Sequence, residues 1–140
     1  MEAPIPIIEK PYKKFLEQGI IAVTVVDTVG PLLSRWLHFD YGWFSIISIL
    51  IYIGVAYLIG RTQDLKTTIY SIIKLSLYDA TVGFILSLLL GAYVSGFEKK
   101  IYQYGLMGWL IVIILGMGFS VILGLIGYKI ARSRKKNQNQ

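Results

Sequence analysis

The sequence has no cysteine, a single histidine and few charged residues in a chain of 140 residues. The absence of cysteine excludes disulfides and thiol chemistry, and it leaves the redox compartment open. Hydrophobic residues make up 55% of the chain and charged residues only 16%. This composition excludes a soluble domain of this size, because so few charges could not cover so much apolar surface. It predicts a polytopic membrane-type protein.

Motifs of enzymes and of metal sites are missing as well. The sequence contains no metalloprotease helix motif, no glycine-rich phosphate loop after a strand and no nucleophile elbow. His38 stands beside Asp40 in a loop sequence, where a solvated side chain is expected rather than a metal ligand. We therefore predict no enzymatic activity, no cofactor and no metal site.

Four apolar segments reach or approach the ~18 residues that mark membrane-spanning helices. The predicted fold is all-α, with four long hydrophobic helices in two antiparallel hairpins. The helices are expected at about 15–37, 41–60, 67–96 and 104–131. The domains are an extended proline-rich arm at 1–14, a first hairpin at 15–60, a basic-side loop at 61–66, a second hairpin at 67–131 and a basic polar tail at 132–140. The first residues do not have the pattern of a cleavable signal peptide.

Two short echoes indicate an internal duplication. "DTVG" at 27–30 resembles "DATVG" at 79–83 with one residue inserted, and "YGW" at 41–43 resembles "YGL" at 104–106. Repeated hairpins of this kind are common in membrane proteins. Two short matches leave duplication and chance similarity as open alternatives.

The basic residues are unevenly distributed along the predicted topology. Eleven of the fourteen fall on the side that holds both termini and the 61–66 loop, which predicts a cytoplasmic location for that side. Three roles are open for this side: a topology signal that also contacts anionic lipid, phosphate contact with DNA, or docking of a soluble partner. The residues expected to contact DNA or lipid phosphate are Lys10, Lys13, Lys14, Arg61, Lys66, Lys129, Arg132, Arg134, Lys135 and Lys136.

Small residues recur at every fourth position in two of the segments. This spacing lines one face of a helix and favours close packing against another helix, within the chain or between subunits. A permeation pathway lined by small residues is the alternative. The predicted packing residues are Gly83, Ser87, Gly91 and Ser95 in the third segment, and Gly116, Ser120 and Gly124 in the fourth.

Two acids, Asp27 and Asp79, stand inside apolar segments that run in the same direction, so they should lie at similar depth. A carboxylate in hydrocarbon is costly, and such residues usually face a bundle interior, a partner or water. One hypothesis is a proton or cation relay. The other is a hydrogen-bonded acid that fixes helix register, and the position of Asp79 at the head of the small-residue face favours it. The expected hydroxyl partners are Thr24, Thr28, Ser76, Tyr78 and Thr81.

The run "LIVIILGMGFSVILGLIGYKIARSRKK" at 110–136 resembles the C-terminal part of capsid proteins of spindle-shaped and tailed-spindle archaeal viruses. Those proteins also close an apolar helix with a basic "YKI"-type end, here Tyr128, Lys129 and Ile130. They tend to be single hairpins, whereas two are predicted here. The resemblance implies insertion into the host membrane, self-assembly into a large homo-oligomeric shell, and non-specific contact with double-stranded DNA inside the virion.

The leading interpretation of the sequence is thus a structural, self-assembling viral capsid protein that contacts membrane lipid. The alternative is a small oligomeric transporter or channel, coupled to protons or cations through Asp27 and Asp79. A third possibility is an accessory subunit of a larger membrane complex.

Overall fold

The computed structural model describes residues 11–94, 103 and 105–138, with 136–138 described by their backbone alone. These residues form helices and turns without a strand, so the all-α prediction is confirmed. The helices are α1 (Pro11–Leu37), a 3₁₀ turn (Tyr41–Phe44) that leads into α2 (Ser45–Thr62), α3 (Leu65–Tyr78), a π-helical turn (Asp79–Gly83), α4 (Phe84–Leu89) and α5 (Leu106–Gln138).

Four helical stretches in this part of the chain are long and apolar enough to cross a membrane. We call them the first to fourth spans: Pro11–Leu37, Tyr41–Thr62, Leu65–Leu89 and Leu106–Lys135. Large apolar side chains cover the outside of the bundle, and Trp36 is 84% exposed. An exterior of this kind suits lipid rather than water, and it is compatible with the predicted integral membrane protein.

The first span begins earlier than predicted. The proline-rich arm was expected to reach residue 14, but Pro11–Lys14 already belong to α1. Proline is well tolerated in the first turn of a helix, because its missing N–H would have had no intrahelical partner there. Residues 1–10 of the predicted arm lie outside the described residues.

The third span ends earlier than predicted, at Leu89 rather than near residue 96. Gly91 has a φ of +68°, a conformation that glycine adopts easily. The N–H of Gly91 donates to Leu88 and the N–H of Ala92 donates to Ser87, which is the Schellman pattern that closes a helix. The chain therefore leaves the helix at this glycine, and the last helical residue, Leu89, is seven residues before the predicted end.

The fourth helix extends beyond its predicted end. The basic tail was expected to leave the helix at residue 132, but α5 continues to Gln138. Arginine, lysine and glutamine are good helix formers, so the polar sequence does not stop the helix. Arg132 donates to the carbonyl of Gln63 at 2.9 Å, which ties this extension to the α2–α3 connection.

The four spans share one hydrophobic core. Its buried members come from all four spans: Val23, Tyr52, Val55, Ala56, Ile59, Ile72, Leu75 and Leu123. The most extensive contact joins α2 to α5, which belong to different predicted hairpins. Their backbones approach closely at Gly127, where an added Cβ would lie 2.6 Å from the Ala56 Cβ and 2.6 Å from the Ile53 carbonyl oxygen. Pairing into two hairpins and duplication of one hairpin stay predictions.

Candidate functional site

Asp27 and Asp79 lie side by side in the interior of the bundle. Asp27 comes from the middle of α1, and Asp79 opens the π-helical turn of the third span. A Cβ added at Gly83 would lie 2.9 Å from Oδ1 of Asp79 and would overlap the carboxyl group of Asp27. The two carboxyl groups are therefore neighbours at Gly83, and a larger residue there would push them apart.

The carboxyl group of Asp27 is only partly satisfied. The side chain is 3% exposed, and its Oδ1 accepts a hydrogen bond from the Tyr41 hydroxyl at 2.9 Å. Its Oδ2 is buried and has no hydrogen-bond partner among the described residues. The Tyr41 ring reaches this position because Gly30 leaves room for it: a Cβ there would lie 2.8 Å from Tyr41 Cε2. A buried acceptor without a partner is rare and indicates a missing proton, water or ligand.

Asp79 is held by a different tyrosine. Its Oδ2 accepts a hydrogen bond from the buried Tyr52 hydroxyl at 2.8 Å. The second span therefore supplies one phenol to each acid, Tyr41 to Asp27 and Tyr52 to Asp79. Both phenols donate a hydrogen bond to a carboxyl oxygen, which stabilises a charged or partly charged carboxyl group.

Four of the five hydroxyl partners expected from the sequence form hydrogen bonds with other groups. Within α1, the Thr24 hydroxyl donates to the carbonyl of Ile20, and the Thr28 hydroxyl donates to the carbonyl of Thr24. The Tyr78 hydroxyl pairs with the Thr24 hydroxyl at 2.9 Å. Thr81 donates to the carbonyl of Leu77, and Ser76 lines the cavity described below. The acids' tyrosine partners come from another span, so local sequence around each acid gave no sign of them.

The π-helical turn coincides with the sequence "DATVG". A π turn holds one residue more than an α turn, and such turns occur often at functional sites. These five residues match "DTVG" at 27–30 with one residue inserted. The Ala80 carbonyl inside this turn accepts a hydrogen bond from Trp109 Nε1 at 3.0 Å. The fourth span thus supports the turn that positions Asp79.

A cleft of about 620 Å³ lies next to the acid pair. Its wall is mainly apolar and includes the rings of Phe44, Phe84 and Phe119. Within the described part of the chain, no lysine, arginine or histidine lines it. Its polar side chains are Asp27, Asp79, Tyr41, Tyr52, Ser45, Ser48, Ser76 and Ser120.

The cleft occupies one half of the bundle only. Its lining from α2 stops at Tyr52, while Val55, Ala56 and Ile59 of the same helix are buried in the core. We call the half near the α1–α2 connection the cavity end. The opposite half, where α1 and α3 begin and α2 and α5 end, we call the basic end. The acid pair lies at the boundary between a packed half and an open half.

The predicted packing residues occupy several environments. Gly83, Ser87, Ser120 and Gly124 are buried within the chain, and Gly116 borders the cleft. A Cβ at Gly124 would lie 3.0 Å from Ile69 Cδ1, so α3 and α5 pack closely there. Gly91 lies in the turn after α4 and is therefore not part of the helical face on which it was expected. Ser95 lies outside the described residues.

The predicted phosphate-contacting residues gather at the basic end where they are described. Those with described side chains are exposed to the outside: Lys13, Lys14, Arg61, Lys66, Lys129, Arg132, Arg134 and Lys135. Arg134 stacks over the Tyr57 ring at 5.8 Å and Arg132 over the Tyr128 ring at 5.1 Å. Lys10 lies outside the described residues, as does the side chain of Lys136.

Residues 11–94 and 105–138 contain no group of three histidine, cysteine, aspartate or glutamate side chains that could hold a metal ion. His38 has a φ of +54° in the turn after α1. It stands outside the residues that line the cleft.

No protein-family model, curated protein or solved structure matches this chain. The viral-capsid resemblance of residues 110–136 therefore stays a prediction from the sequence. Within the described residues, the feature with the most direct chemical meaning is the pair Asp27–Asp79 beside the cleft.

Proposed function

We propose that this protein is a small membrane transport protein that binds a proton or another cation between Asp27 and Asp79. The observation that carries the proposal is the meeting of the two carboxyl groups beside a cleft whose described lining contains no basic side chain. This was the alternative interpretation of the sequence, and the geometry favours it over a purely structural protein.

The electrostatics of the pair require a positive partner. Two ionised carboxylates side by side in an apolar interior repel each other, and each loses the hydration that it had in water. The phenols of Tyr41 and Tyr52 donate hydrogen bonds but carry no positive charge. A proton shared by the pair, or a cation bound to it, removes the repulsion. Oδ2 of Asp27 and Oδ1 of Asp79 meet at Gly83 and are the oxygens that would hold either partner.

The two halves of the bundle differ in the space that they leave beside the site. The cleft adjoins the pair at the cavity end, whereas the basic end is filled by Val55, Ile59 and Ile72. Transport proteins bind their cargo near the middle of the membrane and expose it to one side at a time. The excess of basic residues predicts a cytoplasmic location for the basic end under the positive-inside rule. In this orientation both termini are cytoplasmic, and the cleft faces the other side.

If the capsid resemblance holds, neighbouring copies would pack laterally through the small-residue faces. In the structure Ser87, Ser120 and Gly124 are buried within one chain, so these faces are already occupied. Assembly into a shell around DNA stays a prediction that follows from the resemblance of residues 110–136. Electron microscopy of the purified protein separates the two hypotheses, since a shell protein forms large closed or helical assemblies and a transport protein forms small particles.

Infrared difference spectroscopy of the reconstituted protein tests the proposal directly. We expect the band of a protonated carboxyl group in wild type near neutral pH, and its loss in the double variant D27N/D79N. The matched control is D64N, because Asp64 lies exposed in the α2–α3 connection, remote from the cleft.

Transport is measured on the same proteins in liposomes that enclose a pH-sensitive dye. A pH or cation gradient should drive proton movement in wild type and D64N, and neither D27N nor D79N should support it. A wild-type protein that shows no protonated carboxyl group, no bound cation and no flux would refute the proposal.

A further inference from the structure

We propose that the cargo of this site is an organic cation with an aromatic or otherwise apolar body, which exchanges with the proton of the acid pair. This inference rests on the proposed function and names the class of ligand. Two observations point to a ligand here: the cleft, which both acids line, and the buried Oδ2 of Asp27, which has no hydrogen-bond partner among the described residues.

The cleft is much larger than a site for a proton or a single metal ion. Its volume of about 620 Å³ lies within the range of roughly 300–1,000 Å³ that is typical of pockets for small organic ligands. Gly83 and Gly116 contribute to this space, and Gly116 has only Ser76 Oγ, at 3.9 Å, near the position of a Cβ.

The wall of the cleft suits an apolar body with one positive charge. Phe44, Phe84 and Phe119 present aromatic rings, and the faces of such rings attract cations. The acid pair supplies the opposite charge at one point of the wall. The described lining holds no basic side chain, so nothing in it would favour an anion or repel a cation.

The oxygen ligands do not suit a divalent metal ion. Calcium takes six to eight oxygen ligands, and magnesium requires an octahedron of them. Here Oδ1 of Asp27 and Oδ2 of Asp79 already accept hydrogen bonds from tyrosines. Within the described ranges no cluster of three acidic, histidine or cysteine side chains is present. One counter-charge beside an apolar wall is what a bulky organic cation needs.

The exchange is balanced in charge. As the cation binds, one proton leaves the carboxyl pair for water, and the site keeps the same net charge. The titratable groups that face the pair are Tyr41 and Tyr52 of the second span, and α5 contributes only Ser120 and apolar side chains to the lining. Competition for one carboxylate couples cation binding to proton release.

The test uses the full-length protein in detergent with tetraphenylphosphonium as the probe. Equilibrium dialysis should show saturable binding that tightens about tenfold for each unit of rising pH while one proton is released per cation. Proton release is measured separately with a pH indicator in weakly buffered solution. D27N/D79N gives the background of micelle partitioning.

Two aromatic variants check the location of the probe. F119L should weaken binding several-fold, because its ring lines the cleft. W36L should leave binding unchanged, because Trp36 lies on the outside of the bundle, 84% exposed. If F119L, W36L and D27N/D79N all took up as much probe as wild type, the probe would only be dissolving in the micelle. That result would overturn the inference.

A third arm separates this inference from the proposed function. If sodium or potassium ions release the proton and tetraphenylphosphonium does not, the acid pair is a cation site but its ligand is a small ion. The inference is then wrong while the proposed function stands. If the infrared band of the protonated carboxyl group is absent as well and no cation binds, both are wrong.

Discussion

The basic end and the cavity end of the bundle are built from the same four spans, yet they pack differently. In α2, Val55, Ala56 and Ile59 are buried in the core, whereas Ser45 and Ser48, two turns earlier, line the cleft. The basic end brings backbones together through small residues such as Gly127. At the cavity end, Phe44, Phe84 and Phe119 line a cleft instead.

This difference explains the position of the acid pair. A carboxyl pair within the packed end would have no room for a ligand, and one far out in the cleft would have no fixed geometry. At the boundary, each acid is fixed by a tyrosine, Gly30 leaves room for the Tyr41 ring, and Gly83 leaves room for both carboxyl groups. A rigid half therefore supports a site that opens into the other half.

The largest expected effect on stability comes from truncating the packed end. Ile72 is 0% exposed and Leu115, in the wall of the cleft, is 61% exposed. Truncation of a buried isoleucine costs about 2–5 kcal/mol in soluble cores. We expect I72A to fall in the lower part of that range, because transfer from water contributes less when the unfolded chain stays in detergent.

Unfolding of both variants in mixed micelles with sodium dodecyl sulfate measures this difference. L115A should change the free energy of unfolding by less than about 0.5 kcal/mol, as a surface substitution does. If I72A and L115A destabilised the protein equally, the two ends would be packed alike and the comparison would fail.

A smaller effect is expected where two backbones meet. In G127A the new Cβ would press against the Ile53 carbonyl, so α2 and α5 must separate. Overpacking of this kind costs about 1–3 kcal/mol. Gly118 is the control on the same helix, because an added Cβ there has nothing within 4 Å.

G118A should be neutral or slightly stabilising, since alanine has the higher helix propensity. The same unfolding assay measures both variants. Equal stability of G127A and wild type would mean that α2 and α5 are not in close contact at the basic end.

Much of the fold is accessible from the sequence, and the site is accessible only in part. The apolar runs predict four helical spans, and the positions of Asp27 and Asp79 predict that they lie at similar depth. That the two carboxyl groups face each other depends on the rotation of each helix about its axis. This rotation is set by side-chain packing between spans, as at Gly124 and Gly127, and no local pattern encodes it.

The partners of the acids were missed for the same reason. Tyr41 and Tyr52 are 14 and 27 residues from the acids that they contact, so they were not among the neighbouring hydroxyl groups considered. The extra residue of "DATVG" was visible as an insertion against "DTVG". An inserted residue becomes a π-helical turn only if the chain is helical on both sides of it. The apolar sequence alone does not show whether the helix continues through the insertion.

The smallest expected effect concerns the helix start at the basic end. Asp64 is the N-cap of α3 and its Oδ1 accepts a hydrogen bond from the Thr67 N–H at 3.0 Å. Hydrogen bonding from Thr67 lowers the pKa of Asp64 from its ordinary value of 3.8. Because the folded pKa is the lower one, the stabilisation is complete above pH 3.8 and is lost as the pH falls through the folded pKa.

Hydrogen exchange at the Thr67 amide, corrected for its intrinsic rate, follows this titration. Protection should decrease in acid in wild type and should not change with pH in D64N, where asparagine still caps the helix. Asp40 caps the 3₁₀ turn at the cavity end in the same way, accepting from the Gly42 N–H at 2.8 Å, so D40N is the matched control and should leave Thr67 as in wild type. A loss of protection at Thr67 in D40N would show that the two ends are coupled, and that the packed end is not the independent support inferred for the acid pair.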